Sequence, residues 1–356
     1  MIDLGGLQLA HRVLNASGTL DARSAHAVLG DATLGCAAHV TKTITPEPRA
    51  GNAAPRIAEV PGGMINSIGL PGPGIDRFVA EVLPETAAIV DVPIVVSVGG
   101  FSHDDYVLLV ERLTEIDAVA ALELNLSCPN VKSGCISIGT DPREVEAVTA
   151  QVRARTTRPL FVKLSPSVAD VAELARAAEA GGADALTLTN TARGMVLNRF
   201  TGAPLLGAGT GGVSGPALRP QSLAAVAAAR AAVAIALVGL GGIETADDAR
   251  DFLAVGATAV AVGTAIFRDP RAPSRVRVGL RHRRLAGAPG NQPRPVWQST
   301  RSRGPANGRW EGDRTRRRRS LVQNEAQPAD APVRFSLSAG IVTIPNWALS
   351  MPSGVN

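Results

Sequence analysis

Cys128 stands in the run Glu123-Leu124-Asn125-Leu126-Ser127-Cys128-Pro129-Asn130, a thiol between two asparagines at the close of an apolar segment. Amide side chains on either side of a thiol can hold a carbon acid while the sulfur takes its proton. Pro129 stops the strand and leaves the thiol on a loop at its carboxyl end, where parallel α/β sheets and barrels bind ligands. Lysine is the next informative residue type, with three copies against 33 arginines. Lys132 shares the Cys128 loop, while Lys42 (in Thr41-Lys42-Thr43) and Lys163 (in Val162-Lys163-Leu164) interrupt apolar strands. A buried ammonium needs a partner, and a compact one suits a flavin edge or an enediolate better than a forked guanidinium does. The plainer alternative is a buried ion pair with a barrel carboxylate such as Glu123.

Glycines mark a second kind of chemistry. Val238-Gly239-Leu240-Gly241-Gly242-Ile243 and Val262-Gly263-Thr264-Ala265 end two consecutive strands, and Ser214-Gly215-Pro216 precedes a helix. Backbone N–H groups can close around a phosphate at such positions, although tight βα turns alone also use glycine. Asn66, Asn125, Asn130 and Asn190 all fall on catalytic-end segments. Together they could hydrogen-bond a small planar ring bearing carbonyls and N–H groups, whereas any one alone could be a turn former. Cys36 reads as a small buried hydrophobe, and Cys135 as incidental to the loop that carries it. His11, His26, His39 and His103 lack metal-ligand spacing, so no metal site is expected.

The elements that must position these groups recur with a regular beat. Short β-type runs at 13–18, 39–45, 94–100, 121–129, 160–166, 185–191, 235–242 and 259–265 end in Gly, Pro, Ser, Asn or another small residue. Helical spacing fills 104–116, 142–156, 168–180, 216–232 and 245–255. Eight βα units in about 270 residues predict an α/β fold, a TIM (β/α)8 barrel. A short N-terminal hairpin over residues 4–9 would cover its lower mouth. Two loops, 45–76 and 191–215, exceed simple connectors and would lie over the catalytic end.

Composition sets the frame. The chain has 356 residues and is 45% hydrophobic and 19% charged, enough for a large core. It has no run suited to a membrane span, no signal-peptide pattern at its start, and three cysteines that form no disulfide framework. A cytoplasmic protein is expected. The net charge of +5 hides an asymmetry: residues 1–270 hold 20 Lys+Arg against 27 Asp+Glu, and residues 271–356 hold 16 against 4.

These motifs together resemble the class 1 dihydroorotate dehydrogenases over about residues 1–285. The resemblance rests on Asn15-Ala16-Ser17-Gly18-Thr19, Thr41-Lys42-Thr43-Ile44-Thr45, Asn66-Ser67-Ile68-Gly69-Leu70, the Cys128 octet, Val162-Lys163-Leu164-Ser165-Pro166, Thr189-Asn190-Thr191, Gly212-Val213-Ser214-Gly215-Pro216, the Gly241-Gly242 pair and Gly263-Thr264. It implies an FMN-containing barrel that oxidises dihydroorotate to orotate in pyrimidine synthesis, with Cys128 as the base for the C5 proton and hydride passing from C6 to the flavin. It implies FMN contacts from Ser17, Lys42, Thr43, Asn125, Lys163 and Thr189, and from Gly215, Gly241, Gly242, Gly263 and Thr264. Substrate contacts would come from Lys42, Asn66, Ser67, Ile68, Gly69 and Leu70, and from Asn125, Asn190 and Thr191. Asn130-Val131-Lys132-Ser133-Gly134 followed by Gly139-Thr140-Asp141-Pro142 looks like subclass 1B. That subclass pairs with a subunit bearing FAD and a 2Fe-2S cluster, two chains of each kind, and reduces NAD. The fumarate-using subclass 1A is the nearest alternative, and another flavin barrel acting on a reduced pyrimidine is a further one. Ser97 departs from the family pattern, standing where relatives often place an asparagine near the flavin. With an unperturbed thiol titrating near ~8.5, activity should rise through mildly alkaline pH.

The resemblance ends near Leu285, so residues 1–286 are expected to form the barrel and 287–356 a tail. The tail holds Trp297, Trp310, Trp347 and the run Thr315-Arg316-Arg317-Arg318-Arg319. Its abrupt change of composition predicts a segment without fixed structure or of non-native sequence, such as a shifted reading frame would give. An arginine-rich arm binding RNA, attached to a catalytically impaired barrel, is the rival reading.

Overall fold

The computed structural model describes residues 1–126, 138–282, 334–337 and 340–343. The chain opens with an antiparallel hairpin of β1 (Ile2–Leu4) and β2 (Leu7–Leu9). There follow β3 (Val13–Asn15), α1 (Ala22–Leu29), β4 (His39–Val40), β5 (Ile57–Val60) and β6 (Gly63–Asn66). Next come α2 (Gly74–Arg77), a π-helical turn (Phe78–Val82), α3 (Leu83–Ala87), β7 (Ile94–Val98), α4 (His103–Thr114) and β8 (Val119–Asn125). The middle of the chain supplies α5 (Pro142–Arg153), β9 (Leu160–Leu164), α6 (Val171–Ala180), β10 (Ala185–Leu188), β11 (Ala192–Gly194) and β12 (Gly211–Ser214). It closes with α7 (Arg219–Ala232), β13 (Ala236–Leu240), α8 (Ala246–Ala254), β14 (Ala259–Val262), α9 (Ala265–Arg268) and α10 (Ala272–His282).

Eight parallel strands run in the order β3-β14-β13-β10-β9-β8-β7-β4 with helices outside, the expected TIM barrel. Helix starts follow local chemistry. Ser102 with Asp105 and Thr245 with Asp248 form capping boxes on α4 and α8, satisfying N–H groups that a helix start leaves open. The seam between β3 and β4 closes differently from the others. Asn15 is fully buried, donates Nδ2 to the Val40 carbonyl at 2.8 Å and accepts the Val40 N–H at 2.9 Å. One side-chain amide thereby stands in for a peptide unit, and the Ala37 N–H to Val13 carbonyl bond at 2.8 Å adds the main-chain link.

The hairpin stoppers the amino-terminal end of the barrel, as anticipated. Leu4 and Leu9 are fully buried and join the inward-facing Val95, Ala121, Phe161, Ala185 and Ala259 in one apolar cluster. Gly5 turns with φ 57°, and a Cβ there would lie 2.4 Å from the Asp184 carbonyl oxygen just ahead of β10. A second, larger core lies between strands and helices.

The two long loops are not separate covers. Their strands β5, β6, β11 and β12 pair into one four-stranded antiparallel sheet, order β11-β12-β6-β5, with Asn66 opposite Gly212 and Ile65 opposite Val213. Strand β4 is shorter than the 39–45 expected, because the ladder breaks at 41–43 and resumes with Ile44 bridging Val98. The Thr41 hydroxyl accepts the Ser97 N–H there at 3.1 Å. Such an irregularity re-aims side chains, and Lys42 and Thr43 both line the central pocket.

Contacts divide the chain into two units, Met1–Ser299 and Thr300–Asn356. In the second, β15 (Arg334–Leu337) and β16 (Gly340–Thr343) pair as antiparallel strands. Among the described residues no helix is long and apolar enough to cross a membrane.

Candidate active site

A pocket of about 400 Å³ opens at the carboxyl ends of the barrel strands, bounded by residues of the four-stranded sheet. This volume falls in the range for a small-molecule site. Ser17, Lys42, Thr43, Asn125, Lys163 and Thr189 line it from the barrel. Gly215, Gly241, Gly242, Gly263 and Thr264 line it from one side, and Asn66, Ile68, Gly69, Leu70, Asn190 and Thr191 from the loops. Ser67 does not line the pocket; it is fully buried, its N–H donating to the Arg56 carbonyl and its carbonyl accepting the Asn52 amide. Alternation along the strand explains this, since Asn66 and Ile68 face the opposite way. Cys128 and Asn130 lie outside the described residues, as do Lys132 and Cys135.

The 66–70 loop enters the pocket through two consecutive left-handed residues, Gly69 at φ 76° and Leu70 at φ 54°. A Cβ at Gly69 would sit 2.6 Å from the Asn52 nitrogen, so this turn admits glycine alone.

A directed chain of hydrogen bonds fixes the amides. Asn190 Nδ2 donates to Asn125 Oδ1 at 3.2 Å, and Asn125 Nδ2 donates to Thr43 Oγ1 at 3.1 Å. Thr43 Oγ1 also meets Ser97 Oγ at 3.0 Å and Ser17 Oγ at 3.3 Å. Ser17 spends its proton on the Thr41 carbonyl at 2.9 Å. Thr43 must therefore donate to Ser17, and Ser97 must donate to Thr43, because each hydroxyl has one proton. Tyr106 anchors the same point, its hydroxyl donating to the Asn125 carbonyl at 2.9 Å. Ser97 is fully buried and reaches the pocket only through Thr43.

The glycine wall forms a cradle. Gly241 and Gly242 adopt φ 122° and 80°; a Cβ on the first would strike Ser222, whose hydroxyl is bonded to Thr189 Oγ1 at 2.8 Å. Thr264 opens α9 and donates to Ser214 Oγ at 2.8 Å. Ser214 thus lines the pocket beside Gly215. Glu244, Met64, Ile57 and Phe267 also line the pocket without having been singled out. None has a local pattern that would flag it; Glu244 is turned to Arg268 at 3.0 Å. Cys36 is buried, as expected of a small hydrophobe, and burial pushes its thiol up, which leaves it inert.

A profile of the family described as Dihydroorotate dehydrogenase matches residues 2–283. The chain belongs to the dihydroorotate dehydrogenase family. A relative from Desulforudis audaxviator, named dihydroorotate dehydrogenase B (NAD(+)), catalytic subunit, is 47% identical over 279 residues, covering 78% of this chain and 90% of the relative. A protein of the same name from Listeria monocytogenes is 44% identical over 270 residues, covering 76% and 88%. Among solved structures, a dihydroorotate dehydrogenase from Eimeria tenella in complex with ferulenol superposes with a TM-score of 0.64 at 24% identity, covering 78% of this chain and 82% of the other, which speaks for the fold.

Proposed function

We propose that this chain oxidises dihydroorotate to orotate with bound FMN, in the cytoplasm and in pyrimidine synthesis. Electrons would pass to NAD through a separate subunit carrying FAD and a 2Fe-2S cluster, in an assembly of two catalytic and two electron-transfer chains. The observation that carries the reading is the convergence of Lys42, Lys163 and the coupled Asn125 and Asn190 amides on one pocket with a glycine cradle at its side. The NAD-linked catalytic-subunit name of the relatives supports the choice of acceptor.

The residues fit FMN. Gly215, Gly241, Gly242, Gly263 and Thr264 would offer backbone surface to a phosphate, and the turn at Gly241-Gly242 is held to glycine because a Cβ there would meet Ser222 or the Gly215 carbonyl. Ser17, Thr43, Asn125, Lys163 and Thr189 supply polar groups for an isoalloxazine edge. When bound, FMN supplies the two-electron acceptor that takes the hydride from C6. Lys42 offers a cation to the substrate carboxylate, and Asn66, Asn125 and Asn190 with Thr191 hold the ring. Ile68, Gly69 and Leu70 close over it and exclude water. Cys128 removes the C5 proton onto its sulfur, so that the C5–C6 double bond forms as the hydride leaves.

The test is the visible spectrum of the purified protein before and after anaerobic dihydroorotate. A yellow protein that bleaches fits the reading; one that stays yellow moves the substrate elsewhere; one that is colourless and cannot be loaded with FMN ends it. Cys128→Ser should slow bleaching by about a hundredfold or more without loss of colour. A rate flat from about pH 6 to 9 would argue against the thiol as the base. Reoxidation by fumarate rather than by NAD with the partner subunit would favour the subclass 1A alternative.

A further inference from the structure

Beneath the pocket lies a second, much smaller cavity of about 10 Å³, lined by Glu123, Lys163, Thr187, Ser17 and Asn15 among others. Lys163 and Ser17 line both spaces, so they form the partition between them. Glu123 is 3% exposed, and its Oε1 has no hydrogen-bond partner among the described residues; the same is true of Thr187 Oγ1. The three side chains come from adjacent strands, β8, β9 and β10, with Thr187 opposite Lys163 and Asn125 opposite Lys163 in the register. Glu123 is therefore one inward step below the amide that lines the pocket. The charged described residues lining the two spaces are Lys42, Lys163, Glu123 and Glu244, and Glu244 faces Arg268. Glu123 and Lys163 share the walls of this small buried cavity, so a charge on one is felt by the other with little screening.

We propose that Glu123 is a positioning residue that balances the charge of Lys163 under the flavin and so keeps the flavin's reduction potential low enough for electrons to leave. The proposal rests on the flavin reading above. Its physical content is Coulombic. A negative charge beneath the pocket would oppose added electron density on a flavin bound there, and in the interior this field is weakly screened. Without Glu123 the floor would be net positive and would hold the electrons.

The experiment is an anaerobic redox titration of the FMN-loaded protein, with Glu123→Gln and Glu123→Asp beside the wild type. In Glu123→Gln the reduced flavin should be held at least about tenfold more tightly relative to the oxidised form, a rise of about 30 mV for a two-electron couple. Glu123→Asp keeps the charge and should stay near the wild type. Reoxidation of Glu123→Gln should slow while its reduction by dihydroorotate does not. Should Glu123→Gln not fold alone, the same substitution is read in a Lys163→Gln background, where the doubly neutral protein should again have the higher potential. A yellow protein whose potential is unmoved or lowered in both backgrounds overturns this inference alone. A wild-type protein that binds no flavin overturns it together with the proposed function.

Discussion

Thr43 has one hydroxyl and three partners, Asn125, Ser97 and Ser17, and the proton count leaves a single arrangement that satisfies them. Thr43→Val removes an acceptor from Asn125 and Ser97 and a donor from Ser17. Steady-state kinetics should show kcat/KM for dihydroorotate falling by about 30-fold, corresponding to about 2 kcal/mol, with a loss of about 1–3 kcal/mol in stability from the buried groups left unpaired. Ser97→Ala should lower it less, since Asn125 keeps its bond. His39 bears on stability rather than catalysis. Burial lowers its pKa to about 4 from an unfolded value of 6.5, against a weaker opposing pull from Asp21. The unfolded chain then binds the proton that the folded one refuses, so stability should be fully present above pH 6.5 and fall as pH drops toward 4. His39 contributes about 3 kcal/mol of that loss, and because burial also lowers His11 to about 4, His39→Gln should make this part of the profile shallower without flattening it, as read from urea midpoints against pH. At this scale the sequence was informative where residue types are scarce. Lys42 and Lys163 stand out because the body of the chain has so few lysines, and both line the pocket. Ser67 sits in the same motif as Asn66 and is hidden by strand alternation, which the motif does not encode.

Barrel strands and their helices could be read from apolar runs and caps because those signals are local. The four-stranded sheet could not. Its strands are three or four residues long, and Gly211 and Gly212 give no alternation to read. Its central pairing joins Asn66 to Gly212, far apart in the chain. Helix α1 was also passed over, although Asp21 caps its start and Gly30, at φ 69°, its end. The seam at Asn15 is a further element-level feature that sequence alone would assign to the cofactor motif around it. Asn15→Ala leaves the buried N–H and carbonyl of Val40 without their side-chain partner. Chemical denaturation should show a loss of about 3 kcal/mol. Asn15→Asp should be no better, because a carboxylate cannot donate to the Val40 carbonyl.

On the scale of the whole chain, the acidic body and the arginine-rich remainder pull in opposite directions. Residues 271–356 carry 16 Lys+Arg against 4 Asp+Glu. The full chain should be retained on heparin at low salt, and a chain ending at Ser299 should be held more weakly, since the run Arg316-Arg317-Arg318-Arg319 is gone. Flavin binding and bleaching should survive that truncation, because every described pocket residue lies between Ala16 and Phe267. The leucine hairpin at the amino end has a kinetic meaning as well. With Leu4 and Leu9 wedged into the barrel, the amino end is closed among the described residues, and whatever approaches a flavin in the pocket would come by the substrate's mouth and take its turn. A small soluble oxidant would have to wait for orotate to depart, giving parallel lines in double-reciprocal plots. An oxidant reached by electron tunnelling from the flavin's edge is released from that queue, and the lines should then intersect.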